Sequence, residues 1–95
     1  MGVIHLTGRL ICASHAQARA VMMGLPEHIR LTRAEAGCLS FDVTPTDDPL
    51  VWQVEERFAD RAAFDAHQAR TAGSDWAAVT AGIPRDYSIT EEGVA

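Results

Sequence analysis

Lysine and asparagine are both absent from this 95-residue sequence, so all eight of its basic side chains are arginines. Without lysine, the chain cannot form a Schiff base with a carbonyl substrate or place a P-loop lysine against a phosphate. Without asparagine, any mechanism that needs an asparagine amide fails. Composition alone therefore excludes several common kinds of enzyme site.

Cysteines, basic clusters and long apolar runs are also scarce. The two cysteines, Cys12 and Cys38, show no CxxC spacing and no signal peptide precedes them, which indicates reduced thiols in the cytoplasm. The net charge is −5 and no basic run occurs, so we expect no nucleic acid partner. No apolar stretch reaches the roughly 18 to 20 residues that span a bilayer, so we expect no membrane partner.

Four short segments alternate between apolar and polar side chains, which is the pattern of half-buried strands. In the first, Val3–Ile11, Gly8 interrupts the apolar face, which indicates a bulge or a close backbone approach. The turn-rich TPTDDP joins the second and third segments into a hairpin. These two segments and the last one span residues 38–43, 50–58 and 85–90. The final five residues, EEGVA, are expected to fray.

Helical signals separate the strands. Ser14 and Gln17 form a capping-box pattern, Pro26 is expected to kink the first helix or restart it after Gly24, and Gly37 is placed to end it. The apolar positions of this helix are Ala18, Val21, Met22, Leu25, Ile29 and Thr32.

Two further helices are predicted before the last strand. Asp60 is expected to cap one that ends near Thr71, and Ser74 to cap a short one that ends near Gly82. The resulting order, β-α-β-β-α-β with a short extra helix, predicts a ferredoxin-like α+β fold with a four-stranded antiparallel sheet and both helices on one face. Residues 1–95 form one domain, with a core of about residues 3–90.

The open face of such a sheet predicts a homodimer. A chain this short buries only about two thirds of its unfolded surface, so a bare sheet face is expected to leave an apolar patch. Pairing two open faces into a dimeric α+β barrel covers that patch.

The stretches LTGRL, EAGCLSFDV, EERFADRAAFDAHQ and RDYSI resemble the antibiotic biosynthesis monooxygenase family of small dimeric α+β barrel proteins. The similarity covers about residues 3–90, and the histidine at position 67 is most similar to the quinol-oxidising branch. The resemblance implies an enzyme without cofactor or metal. Such an enzyme deprotonates a quinol, phenol or polyketide-like aromatic, and the substrate anion then reduces molecular oxygen.

That chemistry needs a base of near-neutral pKa, a cation for the substrate anion and aromatic walls that exclude water. The resemblance implies His67 as the general base, with His5 as the alternative, Arg9 as the anion partner and Glu56 orienting a histidine. The side chains expected to contact the substrate are His5, Trp52, Phe58, Phe64 and Trp76.

Two branches of the family fit less well. Polyketide-oxidising members carry an asparagine, a tryptophan and a tyrosine where this chain has Val54, Phe58 and Phe64, so polar contacts to that substrate are lost. Haem-degrading relatives need an asparagine at the position of Gly8 and a ligand histidine near Trp76. Haem degradation is therefore not expected.

Each candidate also has a structural interpretation. His67 fits packing beside an aromatic ring as well as catalysis, and His5 fits a hydrogen bond at a dimer interface as well as a pocket. Arg9 faces either a substrate anion or a carboxylate across that interface. Glu56, among apolar neighbours, has either a raised pKa or, as the more ordinary outcome, an arginine partner.

Several alternatives remain at this stage. His15 and His28 lie in polar company on the first helix, and both are predicted to be solvent-exposed. No histidine pair has metal-ligand spacing, so no metal site is expected. The fold also suits an isomerase or degradative enzyme that turns over without oxygen, and a non-catalytic protein that binds an apolar aromatic ligand.

Overall fold

A computed structural model of the chain describes residues 2–92 and has the predicted ferredoxin-like α+β fold. Neighbouring strands are antiparallel, in the sheet order β2-β3-β1-β4. The strands are β1 (Val3–Ile11), β2 (Cys38–Pro45), β3 (Val51–Phe58) and β4 (Arg85–Glu92), and the helices are α1 (His15–Arg33), α2 (Arg61–Ala72) and α3 (Asp75–Val79). No helix within residues 2–92 is long and apolar enough to cross a membrane.

The last strand is longer than predicted. Glu91 and Glu92, which were expected in a frayed tail, pair with Ile4 and Val3 of β1. The remainder of that predicted tail, residues 93–95, lies outside the described residues.

The core lies between one face of the sheet and the helices. Ile4, Leu6 and Leu10 of β1 are almost fully buried there, and Val54 and Phe58 of β3 lie beside them. Leu6 pairs with Glu56, so the alternation that buries the apolar residues of β3 also points Glu56 into this layer. The pleat of the sheet thus places a carboxyl group inside the apolar layer.

Helix α1 buries Val21, Leu25 and Thr32 of the predicted stripe, but two other assignments on this helix were wrong. It begins after Ser14, whose side chain accepts from the Gln17 amide, and it runs unbroken through Pro26, so no restart occurs. Met22, a predicted core position, is 57% exposed, whereas His28, predicted to be solvated, is 4% exposed. Position 28 lies three residues after Leu25 and four before Thr32, so helical spacing places it on the buried face of the helix. The buried residues of α1 are Val21, Leu25, His28 and Thr32.

Helices α2 and α3 begin at their predicted caps. The side chain of Asp60 accepts from the Ala63 amide, and that of Ser74 accepts from the Ala77 amide. Helix α3 ends at Val79, earlier than predicted. Both helices are thus fixed at their first turn by a side-chain cap.

Gly8 marks a close approach and not a bulge. The pairing of β1 with β3 and β4 passes through it without a register shift. A Cβ at this position would clash with the Asp86 carbonyl oxygen and lie 2.8 Å from the Tyr87 ring. The absence of a side chain at Gly8 therefore lets the Tyr87 ring lie against β1.

A β-bulge at the start of β2 overturns one predicted core residue. The register of β2 against β3 shifts between Cys38 and Ser40, which leaves Leu39 as the extra residue. Leu39 is 54% exposed, although simple alternation had placed it beside Phe41 in the core.

The central part of the open sheet face is polar. His5 Nε2 lies 3.1 Å from Glu55 Oε1, and Arg57 Nη2 lies 2.8 Å from Glu92 Oε1. Arg9 Nη2 is 3.9 Å from an Asp86 oxygen. The apolar patch expected at this position is therefore not found among the described residues. A dimer through this face remains a prediction, now with polar contacts in place of apolar ones.

Candidate functional site

Two adjoining hollows lie around the end of the helical layer that carries α3. The inner cavity, of about 260 Å³, lies between the helices and the sheet. The outer groove, of about 440 Å³, runs between α1 and α3. The inner cavity is lined by Leu6, His28, Glu56, His67, Gln68, Thr71, Trp76, Arg85 and Tyr87.

His67 is held rigidly in the wall of the inner cavity. It is 2% exposed, and its ring lies 4.8 Å from that of Phe58. Its Nδ1 lies 2.8 Å from Glu35 Oε1, and the other oxygen of Glu35 accepts from the Arg70 guanidinium. Burial lowers the pKa of His67, and the Glu35 hydrogen bond opposes that shift. The neutral ring therefore keeps its proton on Nδ1 and presents the Nε2 lone pair.

Glu56 lies next to His67 in the lining of the cavity and is almost fully buried. Its Oε1 lies 3.6 Å from His67 Nε2 and has no hydrogen-bond partner among the described residues. Burial, reinforced by the nearby Glu35 charge, raises the pKa of Glu56 to about 7. No arginine within residues 2–92 forms an ion pair with it, so the predicted arginine partner is wrong and the raised pKa is the alternative found.

Arg85 and Tyr87 line the cavity from β4. Arg85 Nη1 donates to the carbonyl oxygens of Thr80 and Ile83, each at 3.0 Å, and Nη2 donates to Thr80 Oγ1 at 2.7 Å. Burial raises the pKa of Tyr87 to about 12, so its hydroxyl stays protonated and can donate. A fixed guanidinium beside a hydroxyl donor suits an oxyanion.

His28 and Trp76 form the wall between the inner cavity and the outer groove, and both residues line both spaces. Their rings stack with centroids 4.6 Å apart and planes at 4°. Burial, with the nearby Arg70 charge, lowers the pKa of His28 to about 4, so this ring is neutral at ordinary pH. We call this stacked pair the His28–Trp76 wall.

Unpartnered polar atoms concentrate at the inner cavity. Within the described part of the chain, four buried side-chain atoms lack a hydrogen-bond partner, and three belong to residues that line this cavity: His28 Nδ1, Glu56 Oε1 and Thr71 Oγ1. Buried polar atoms are normally bonded, so these three atoms are available to bond water or a polar ligand in the cavity.

The structure brings together only some of the predicted site residues. His67, Glu56 and Trp76 all line the inner cavity. Arg9 and His5 do not, because odd-numbered residues of β1 point to the open face of the sheet. Within one chain, the sheet therefore separates Arg9 from His67, and the expected pairing of the two around one substrate is wrong.

The three other predicted aromatic residues do not line either space. Phe58 and Phe64 are buried and pack edge to face, 5.8 Å apart, beneath His67. Trp52 is half-buried, packs against the core, and its Nε1 has no partner among the described residues. These three side chains pack in the core next to the site and do not line it.

Sequence reasoning did not identify Arg85, Tyr87, Glu35 or His28. The alternation of β4 carried a signal for the first two, since Arg85 and Tyr87 share a strand face. No local pattern pointed to Glu35, which lies in the connection after α1 and meets His67 only in the folded chain. No group of three or more potential metal ligands occurs within residues 2–92.

Comparisons with known proteins agree with the fold. The profile of a family described as antibiotic biosynthesis monooxygenase matches residues 13–79. Among curated proteins, no significant match occurs. A solved Pseudomonas aeruginosa structure is similar with a TM-score of 0.77 at 21% identity, over 99% of this chain and 97% of that chain. A proposed antibiotic biosynthesis monooxygenase from Nitrosomonas europaea gives 0.78 at 18% identity, over 97% and 92%.

A second protein of that name, from Caulobacter crescentus, gives a TM-score of 0.67 at 22% identity and covers 98% of this chain and 92% of that chain. At such identities the structural likeness shows the fold alone. The match to the family profile is an independent result, because it comes from the sequence and covers most of the chain.

Proposed function

Because the chain belongs to the antibiotic biosynthesis monooxygenase family, we propose that it is a cofactor-independent monooxygenase that oxidises a small quinol or phenol in the inner cavity. The observation that carries this proposal is the cluster of unpartnered buried polar atoms around Glu56. A hydroxylated aromatic ring satisfies those atoms, and the apolar lining from Leu6 and Trp76 accommodates its faces.

The first step is removal of a proton from the substrate hydroxyl. Glu56 accepts it, and the electron pair of the O–H bond stays on the substrate oxygen. Glu56 suits this role better than His67, because its pKa of about 7 lies near the working pH and its free oxygen faces the cavity. Glu35 binds Nδ1 of His67, so Nε2 lies beside the protonated Glu56. Nε2 accepts a hydrogen bond from Glu56 once the 3.6 Å distance between them shortens.

Arg85 and Tyr87 stabilise the anion that results. The guanidinium is fixed by Thr80 and Ile83, and the Tyr87 hydroxyl remains a donor at any ordinary pH. Donors already in place cost no reorganisation when charge develops on the substrate. This assignment replaces Arg9 with Arg85 as the cation of the site.

The substrate anion then supplies the electrons that reduce oxygen. For a quinol, the balanced reaction is quinol plus O₂ giving hydroxyquinone plus water. One oxygen atom is inserted into a ring C–H bond and becomes a hydroxyl group, and the other leaves as water. The four electrons come from the substrate, two from its oxidation to the quinone level and two from hydroxylation of the ring.

Oxygen uptake by the pure protein, free of flavin and metal, tests the proposal with a panel of quinols and anthrones. We expect uptake above the non-enzymatic rate, and a loss of about a hundredfold or more in Glu56→Gln, since general bases contribute roughly 10² to 10⁴. The matched control is Glu91→Gln, which changes an exposed carboxylate of β4.

Other outcomes would assign a different function. Turnover without oxygen uptake would indicate an isomerase or degradative enzyme. Ligand binding without turnover would indicate a binding protein for an aromatic ligand. Equal activity of wild type and Glu56→Gln would refute the assignment of Glu56 as the base.

A further inference from the structure

We infer that the outer groove is the second half of the substrate site and receives an aliphatic substituent of the ring that occupies the inner cavity. The inference rests on the proposed function, because it takes the inner cavity as the position of the reacting ring. It assigns a substrate class, namely a small hydroxylated aromatic head with an apolar chain.

The two spaces are separated by a single aromatic layer. The His28–Trp76 wall is one pair of stacked rings, and both rings line both spaces. His28 is fixed on its other side, where it meets Phe41 edge to face at 5.3 Å. Trp76 belongs to a helix of only five residues. The two spaces share this wall, so a substituent that passes the edge of Trp76 would enter the outer groove.

Most of the groove surface is apolar, although Ser74 and Asp75 also line it. Leu31 and Val79 present apolar side chains there while remaining 37% and 49% exposed. Gly24 contributes no side chain, and a Cβ at that position would lie 3.2 Å from Val79 Cγ2 and 3.4 Å from Trp76 Cε3. The Glu27 carboxylate at this site is already paired with Arg30 at 2.5 Å. An apolar chain therefore covers exposed apolar surface without breaking an ion pair.

The sizes of the two spaces support this division. An apolar protein cavity of roughly 150 Å³ holds benzene, so about 260 Å³ suits one or two rings and leaves little room for a chain. The outer groove adds about 440 Å³ next to it. A two-ring head with a chain of several carbons matches both spaces together.

Two probes that differ only in the chain test the inference. They are 2-hydroxy-1,4-naphthoquinone, a hydroxyquinone of the proposed product class, and the same compound with a 3-methylbut-2-enyl group at position 3. Calorimetric titration of the wild type should show the alkylated probe binding at least about tenfold more tightly, since one fully buried methylene is worth about fourfold.

Substitutions in the groove separate specific from general apolar binding. Leu31→Gln combined with Val79→Gln should remove most of that preference and leave the affinity for the unsubstituted probe unchanged. Both positions are partly exposed, so the variant is expected to fold. Met23→Gln is the control, because Met23 lies on the same helix, is 74% exposed and does not line the groove.

The outcomes distinguish this inference from the proposed function. If both probes bind the wild type equally, or if the control variant loses the preference as well, the outer groove is not part of the site while the inner cavity stands. If neither probe binds, the inner cavity is not a quinone site, and the inference is wrong along with the proposal on which it rests.

Discussion

Glu35 orients His67 through a hydrogen bond in which Glu35 Oε1 lies 2.8 Å from His67 Nδ1. The second oxygen of Glu35 accepts a hydrogen bond from the Arg70 guanidinium. The contact joins α2 to the connection between α1 and β2. It leaves Nε2 as the nitrogen that faces Glu56, 3.6 Å away. The order of groups from the cavity outward is thus Glu56, His67, Glu35 and Arg70.

Glu35→Ala should lower the pKa of His67 further and mix its two neutral tautomers. The hydrogen bond and the charge of Glu35 both raise the pKa of His67 against the effect of burial, and the variant removes both. Nitrogen NMR of the ring across pH reports tautomer and titration together. Glu35→Gln keeps an acceptor and loses the charge, so an intermediate result is expected. An unchanged His67 spectrum in the alanine variant would contradict the proposed orientation.

Glu56 should make the fold less stable as the pH rises. Its pKa in the folded chain, about 7, is above the ordinary value of 4.5, so folding favours the protonated form. The stabilisation is complete below pH 4.5 and is lost as the pH rises to about 7, a change on the order of 3 kcal/mol.

Glu56→Gln isolates that effect, because the amide mimics the protonated carboxyl and does not titrate. Urea unfolding should give similar stabilities for wild type and variant at pH 4.5. At pH 8 the variant should be more stable by about 3 kcal/mol. A difference that does not change with pH would mean that Glu56 titrates normally.

Arg85 and Arg9 provide a test of which face of the sheet holds the anion. Arg85→Gln should weaken binding of 2-hydroxy-1,4-naphthoquinone by about 10- to 100-fold, because a hydrogen bond to a charged group usually contributes a factor of that size to affinity. Arg9→Gln, on the opposite face, should change it less than about twofold by the same reasoning. Calorimetric titration measures both, and the reverse order would place the ligand on the open face.

Gly8→Ala should destabilise the chain by about 3 kcal/mol or more, because an added methyl group overpacks a site bounded by backbone. It would collide with the Asp86 carbonyl oxygen and force β4 away from β1. Gly73→Ala is the control, since the nearest atom to an added Cβ is 3.9 Å away and its φ of −97° suits alanine. Urea unfolding compares them, and equal effects would refute the close approach at Gly8.

A homodimer remains the expected state in solution. The ion pairs on the open face, such as Arg9 with Asp86, provide groups that can bond across a sheet-to-sheet interface. Sedimentation at micromolar concentration should give about twice the mass of 10.3 kDa, with weaker association at high salt. A monomer under these conditions would rule the dimer out.

The sequence predicted the order of elements because each strand alternates and each helix has a side-chain cap. The prediction of which side chains are buried failed where a shift of one residue along the chain changes the face on which a side chain lies. The bulge after Cys38 exposes Leu39, and the stripe of α1 buries His28 in place of Met22. Both errors come from local spacing that tertiary packing overrides.

The candidate site was only partly predictable for a related reason. Glu56 and His67 belong to elements with clear patterns, so their inward direction followed from periodicity. The proposal of Arg85 in place of Arg9 as the cation did not follow from periodicity, because it requires knowing which face of each strand lines the cavity. Glu35 reaches His67 across 32 positions of sequence, a contact that no local pattern encodes.

The hydroxyl of Thr80 links two residues that line the inner cavity. It donates to the Trp76 carbonyl oxygen at 2.7 Å and accepts from Arg85 Nη2 at 2.7 Å. An anion bound by Arg85 would therefore also stabilise the short helix that carries Trp76, and by reciprocity an ordered helix would strengthen binding of the anion. The residence time of a bound product would then depend on its charged oxygen as well as on its ring, so release should quicken when that oxygen is neutral.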